Sequence, residues 1–251
     1  MTHRACFRTT ISPFSLWLLL LALLSGTGAA LLSSLAQAAN APSTKEQSKQ
    51  SSGASRANFI VTELDSLSES AEDIFTLALA GKMERVGKRL DTLKKNAAAF
   101  AYVQDEASSI LLPRLGRTIA DLEKAISTRN RIDTMRFSNR ITLIAATVAV
   151  PFRPNVPTEV SLLDYNGREL EIWSEMKKTD KLSSIVIRMH LAWQTLMPKL
   201  IEQNRIKELR RFSDLMGHLE LARVPEDYGR LSRQVLAETD ILKAIFLKTA
   251  K

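Results

Sequence analysis

Cysteine is almost missing from this chain. The single one, Cys6, sits near the start, ahead of the first long apolar run. Covalent haem attachment, thiolate zinc sites and cysteine nucleophiles are thereby excluded, since each needs thiols at defined spacings further along. Histidine is also scarce, with His190 and His218 the only two beyond His3. No H-E-x-x-H, no G-x-S-x-G and no paired Glu-x-x-His motif is present, so the usual sequence marks of zinc proteases, serine hydrolases and carboxylate-bridged di-iron bundles are lacking. Non-covalent haem in a four-helix bundle fits no better, because the first helix offers no methionine and the last neither histidine nor methionine. No cofactor and no enzymatic activity are expected.

The first 38 residues have the three parts of a secretion signal. Arg4 and Arg8 give a basic start, Phe14 to Leu24 is apolar, and a small-residue stretch ends in Ala36-Gln37-Ala38, the A-x-A pattern read by signal peptidase. Cleavage is expected after Ala38. The apolar run falls short of the roughly 20 residues that span a bilayer, and the alternative is an uncleaved signal anchor. Cys6 lies before the apolar run, so no lipoprotein cysteine stands at the cleavage point, and separated arginines do not make a twin-arginine signal. General secretion of the unfolded chain to the periplasm is the expectation. A mature chain of roughly 200 residues buries about 70% of its surface and needs no disulfide. No later apolar run is long enough for a second span.

The chain carries 35 Lys and Arg against 27 Asp and Glu. The basic residues are spread out and interspersed with acids, as on solvated helix faces. A weak contact with an anionic membrane surface is compatible with this balance. Export argues against nucleic acid as a partner.

Residues 39–57 hold few apolar side chains and many Ser, Gln and Lys. They cannot bury enough surface to offset ordering entropy, which predicts a flexible leader. The region 58–251 then shows helical periodicity. Ile60, Leu64, Leu67, Ala71, Ile74 and Ala78 step by four and three, one stripe of a helix. Gly81 interrupts it, as a kink or a tight turn. Met83, Val86, Leu90, Leu93, Ala97 and Phe100 form the next stripe. Leu115, Ile119, Leu122 and Ile126 start a third, which resumes at Phe137, Ile141, Ile144 and Val148. Pro113 suits a first helical turn, and the third helix is expected to run about 40 residues, about 60 Å at 1.5 Å per residue. Pro151, Pro154 and Pro157 make an extended connector. Later stripes run through Leu182, Val186, Met189, Trp193, Leu196 and Leu200, then Leu209, Phe212, Met216 and Leu219, then Leu231, Val235, Thr239, Leu242 and Phe246. Pro198 is expected to kink its helix near the end. Pro225, followed by Glu226 and Asp227, is placed to open the last helix.

Thr158 to Trp173 reads two ways. Asn166-Gly167 between alternating apolar residues signals a hairpin, yet that pairing sets Asp164 opposite Glu169, where like charges repel. A helix aligns Val160, Leu163, Gly167 and Leu170, with Gly167 admitting a close neighbour, and is the favoured reading. The fold expected is an all-α, elongated antiparallel bundle of about six or seven helices, with a small β-hairpin at 158–173 as the alternative.

Two constellations merit attention. His190, Met197, Met216 and His218 are soft enough together for copper, which makes a metal-handling protein the competing function. Met189 and Met216, however, lie on core stripes, where methionine fills gaps. Asn130 and Asp133 occupy stripe positions in the long third helix, with Arg129 and Arg136 in reach of the carboxylate. They read either as a helix surface leaving the core, with the stripe rotating toward Met135, or as a buried polar layer. Trp173 and Trp193 read as core residues. The function expected is non-catalytic: binding a protein partner or a small ligand, or assisting an envelope system.

Overall fold

The computed structural model describes residues 44–98, 100, 106–153 and 155–248, with side chains from residue 58 onward except 106–109. The expected secretion signal, Cys6 and Pro154 lie outside the described residues.

Eight helices are found among those residues, and no strand: α1 Thr44–Leu79, α2 Met83–Ala98, α3 Glu106–Ser127, α4 Arg131–Ala149, α5 Thr158–Glu175, α6 Thr179–Glu202, α7 Ile206–Leu221 and α8 Pro225–Lys248. A 3-10 turn, Val150–Phe152, follows α4. The all-α expectation holds, with one or two more helices than periodicity indicated. Residues 158–173 are helix, not hairpin. α1 begins at Thr44, inside the segment expected to be a flexible leader. Few apolar side chains do not forbid helix there, because a helix already nucleated by the Ile60–Ala78 stripe extends at low cost through straight-chain Lys and Gln.

Helix count rose because the turns are sharper than apolar stripes reveal. Three-residue turns follow α1, α3, α5 and α6, and the middle residue of each is left-handed: Gly81 (φ 71°), Arg129 (φ 53°), Lys177 (φ 53°) and Asn204 (φ 55°). At all four the same pair of backbone bonds closes the helix. At α3, Asn130 N–H donates to Ala125 O (2.8 Å) and Arg129 N–H to Ile126 O (3.0 Å). This Schellman closure satisfies carbonyls the helix end would strand. Glycine announces one of the four turns; arginine and lysine conceal two. The long third helix is therefore two helices, α3 and α4. Pro113 is inside α3, not in its first turn, and Pro198 is inside α6, which continues to Glu202. Pro225 opens α8 as expected.

The helices form two four-helix units, α1–α4 and α5–α8, each with its own apolar core. One core gathers Leu64, Leu67, Ile74, Leu93, Leu122 and Ile141; the other Leu163, Met189, Trp193, Phe212, Leu231 and Phe246. Each unit pairs its first helix with its last. Cross-links give the antiparallel register: Arg89–Asp73 at 3.2 Å joins α2 to α1, and Asn96 donates to Ser66 O at 3.0 Å further along. In the second unit, Arg188 donates to Asn166 Oδ1 (3.2 Å) and Lys199 to Glu159 (3.0 Å) across α6 and α5. Between α5 and α8 the approach is tight at Gly167, where a Cβ would meet Val235 Cγ1 and Leu236 Cδ2 at 3.0 Å. The helical reading assigned Gly167 that role.

Candidate functional site: a polar seam between two units

The two cores do not merge. A small apolar plug of Phe75, Ala78, Met135 and Ile172 joins the units at one level. Beyond it the seam is polar. α4 turns a face of Thr134, Ser138, Asn139 and Thr142 toward the other unit, all buried. Such residues are tolerated inside a helix bundle when each polar atom has a partner, and here the helix backbone supplies many: Ser138 Oγ donates to Thr134 O at 2.7 Å, Thr142 Oγ1 to Asn139 O at 2.7 Å. Asn139 reaches across, donating to Tyr165 O (3.1 Å) and Glu169 Oε1 (3.2 Å) of α5. Its own Oδ1 is buried with no partner.

Arg168 on α5 is the pivot of the seam. Its side chain is 10% exposed. It binds Asp164 one turn back, and reaches Glu72 of α1 at 3.4 Å. The guanidinium also lies 5.9 Å from the Phe75 ring centroid, a cation–π distance. Ser68 donates to the other Glu72 oxygen at 3.3 Å. A further tie between the units is Arg131–Glu175, and Arg153 of the connector binds Asp65 of α1.

Two clefts open along the seam, of ≈ 50 and ≈ 60 Å³, each room for a few waters. Both are lined by Ser68 of α1, Ala146 of α4, Ser161 of α5 and Lys243 of α8. Small side chains at the first three leave the space unfilled. The second cleft adds Glu72, Asp164 and Asp240. Three carboxylates thus meet two cations, Arg168 and Lys243. Partial burial raises the Glu72 carboxyl above its ordinary value, and Arg168 pulls it back less strongly. Asp240 is raised too, first by desolvation and then by the charge of Asp164. Burial also raises Glu171, which Arg233 and Arg168 partly offset. A wider groove of ≈ 550 Å³ between α1 and α2 is lined by Asp73, Glu84, Arg85, Lys88 and Arg89. Its ion pair Arg89–Asp73 is half exposed on both sides, the character of a solvated face.

Of the two readings of Asn130 and Asp133, the structure has the helix surface leaving the core, not a buried polar layer. Asn130 is exposed and caps α4: its side chain accepts the Asp133 N–H, and Arg136 pairs with the Asp133 carboxylate at 2.8 Å. Arg129 occupies the left-handed turn position. The core stripe rotates instead to Met135, which is fully buried.

The metal candidates are not drawn together. His190 donates from Nδ1 to Glu220 (2.6 Å) and accepts at Nε2 from Gln194 (2.8 Å), so both ring nitrogens are engaged. His218 is exposed on α7, Met216 is buried in the second core, and Met197 packs against that core. Among the described residues no group of three or more His, Cys, Asp and Glu is arranged to hold a metal ion. Trp193 is a core residue, its ring 4.5 Å from Phe212. Trp173 is half-buried, donates to Glu169 at 2.8 Å, and has Arg136 at 5.5 Å from its ring.

Sequence reasoning did not find the seam. Asp164–Arg168, Ser68–Glu72 and Asp240–Lys243 are helical-spacing pairs, but equivalent pairs recur on solvated faces throughout the chain. Only the docking of two units makes these three converge. Among the described residues no helix is long and apolar enough to cross a membrane. No family model, no curated protein and no solved structure matches the chain.

Proposed function

We propose that this chain is an exported, non-catalytic binding protein of the cell envelope, and that the seam between its two helical units is the binding element. The observation that carries the reading is the convergence of Glu72, Asp164, Asp240 and Lys243 on space that small residues leave open, with Arg168 paired to Asp164 and Glu72 beside it. Ligand sites favour the interfaces between packed units and the gaps between bundle helices. A seam of this kind recognises a small polar molecule, or the polar side chains of a partner, by replacing the waters that the clefts admit. The secretion signal supplies the compartment. A copper-handling role has weaker support, because His190 spends both nitrogens on Glu220 and Gln194.

The test is a thermal-shift screen of small amines, carboxylates and sugars against the secreted protein and its Ser161→Phe variant, which fills the clefts. A ligand that stabilises the native protein and loses its effect in Ser161→Phe supports the reading. A stabilising ligand indifferent to that change counts against it. Export is tested separately by cell fractionation and by N-terminal sequencing, which should begin at Ala39.

A further inference from the structure

α5 is apolar on more sides than the bundle covers. Its inner side carries Val160, Leu163 and Leu170 into the second core, with Gly167 against α8. α4 and α6 pack along it as well, the first tied by Asn139 to Tyr165 and Glu169, the second by Arg188 to Asn166. The remaining side holds Leu162, Tyr165, Glu169, Trp173 and Met176, spaced by three, four, four and three residues. That is the rhythm of a packed stripe, yet this one faces solvent. Leu162 and Met176 are 38% and 36% exposed, and Tyr165, Glu169 and Trp173 are only partly buried. The α6 bank widens the surface, since Ile187 and Leu191, next to Arg188, are 63% and 58% exposed. A helix apolar on every side belongs in an interior, and a continuous apolar strip left open to water marks an interaction surface.

Shape and charge define what fits it. Tyr165 and Trp173 are partly buried while Arg136 and Arg140 of α4 and Arg188 and Leu191 of α6 are exposed, so the stripe is the floor of a groove and the neighbouring helices are its banks. Glu169 is the one charge on the floor, and both its oxygens are occupied, by Asn139 Nδ2 at 3.2 Å and Trp173 Nε1 at 2.8 Å. Arg136 is paired with Asp133 and lies 5.5 Å from the Trp173 ring. Arg140 and Arg188 enter no ion pair among the described residues. Arg188 donates only to the neutral amide oxygen of Asn166, at 3.2 Å, and both arginines act by charge on the Tyr165 phenol between them. An apolar floor with an uncommitted cation on each bank complements a helix that has apolar residues at three- and four-residue spacing and acids beside them. A recessed floor suits the ridge of a helix better than a flat lipid surface.

We propose that the outer groove of α5, between α4 and α6, is a docking site for an acidic amphipathic helix of a partner protein. Leu162, Tyr165 and Trp173 receive its apolar residues, and Arg140 and Arg188 pair with its carboxylates. The groove lies on the side of α5 away from α8, so the clefts of the seam and this surface can be occupied, or fail, independently.

The test is selection from a phage-displayed library of helical peptides on the full-length protein, with counter-selection against the Arg140→Glu, Leu162→Gln double variant. Both positions are exposed, and circular dichroism checks that the variant keeps the native helix content; if it does not, Arg140→Gln alone takes its place. Enriched peptides should be acidic, with apolar residues at helical spacing. Their synthetic forms should bind the native protein, bind the variant about tenfold more weakly or worse, and bind Ile241→Gln, altered at an exposed site on α8, as tightly as native. No enrichment, enrichment of basic or aperiodic peptides, or equal binding to the double variant overturns the proposal. So does co-sedimentation with phosphatidylglycerol vesicles that the double variant abolishes while no peptide is selected, since that assigns the face to a membrane.

Discussion

Asn130 accepts the backbone N–H of Asp133 at 3.1 Å and returns a bond from its own amide to the Asp133 carboxylate at 2.7 Å. This reciprocal cap starts α4 in the gap of the apolar stripe between Ile126 and Phe137. Replacing Asn130 with Ala should cost about 1 kcal/mol of stability. Asp133→Leu should lose about 0.5–1 kcal/mol, from a lost acidic residue in the first turn. Chemical denaturation of each variant checks both; neutrality in both would mean that the cap does not organise the turn.

Gly167 and the two exposed helix glycines make a contrasting set. A side chain at Gly167 runs into Val235 and Leu236, whereas nothing lies within 4 Å of a Cβ at Gly87 or Gly116. Gly87→Ala and Gly116→Ala should each stabilise by about 0.5–1 kcal/mol through helix propensity. Gly167→Val should destabilise by about 1–3 kcal/mol by overpacking the α5–α8 contact. Melting temperatures of the three variants, measured side by side, decide the matter.

Arg168 neutralises a partly buried acidic site from one side chain. Arg168→Met should destabilise by about 1.5–3 kcal/mol, since it leaves Asp164 and Glu72 without that cation. Adding Asp164→Asn to Arg168→Met should recover part of that loss. A double-mutant cycle with no coupling between the two sites would contradict the geometry of the pair.

Stability should depend on pH with an unusual sign near neutrality. Glu72, Glu171 and Asp240 bind protons more readily in the folded chain than at their ordinary values of 4.5, 4.5 and 3.8. A raised folded-state value means the folded form holds more protons, so the contribution is fully present below the ordinary value and is lost as pH rises through the raised one. From these groups, stability should increase as the solution is acidified from neutral toward the ordinary carboxylate range. Glu72→Gln with Asp240→Asn should flatten that rise and raise the melting temperature at neutral pH. Thermal melts across the interval provide the check.

The apolar stripes gave the cores directly. Ile60 to Ala78 and Leu182 to Leu200 are buried at every residue on which the periodicity relied, because burial of one helix face is a property that four-and-three spacing encodes. Helix ends were less legible. Lys177 and Arg129 adopt left-handed turns that their side chains do not advertise, so a turn of three residues hid inside one apparent stripe. The seam was least legible of all. Arg168, Glu72 and Asp240 come from three helices far apart in the chain, and each looks locally like a solvated residue. Their meeting is fixed by how the two units dock, which follows from the plug at Phe75, Ala78, Met135 and Ile172 and not from spacing within any one helix.

The most direct test of the account is a nuclear magnetic resonance titration of the labelled protein with the strongest stabiliser from the thermal-shift screen. The account predicts chemical-shift changes concentrated at Ser68, Ser161 and Lys243, with the His190 and His218 signals unmoved. Changes centred on those two histidines, with the seam silent, would contradict it.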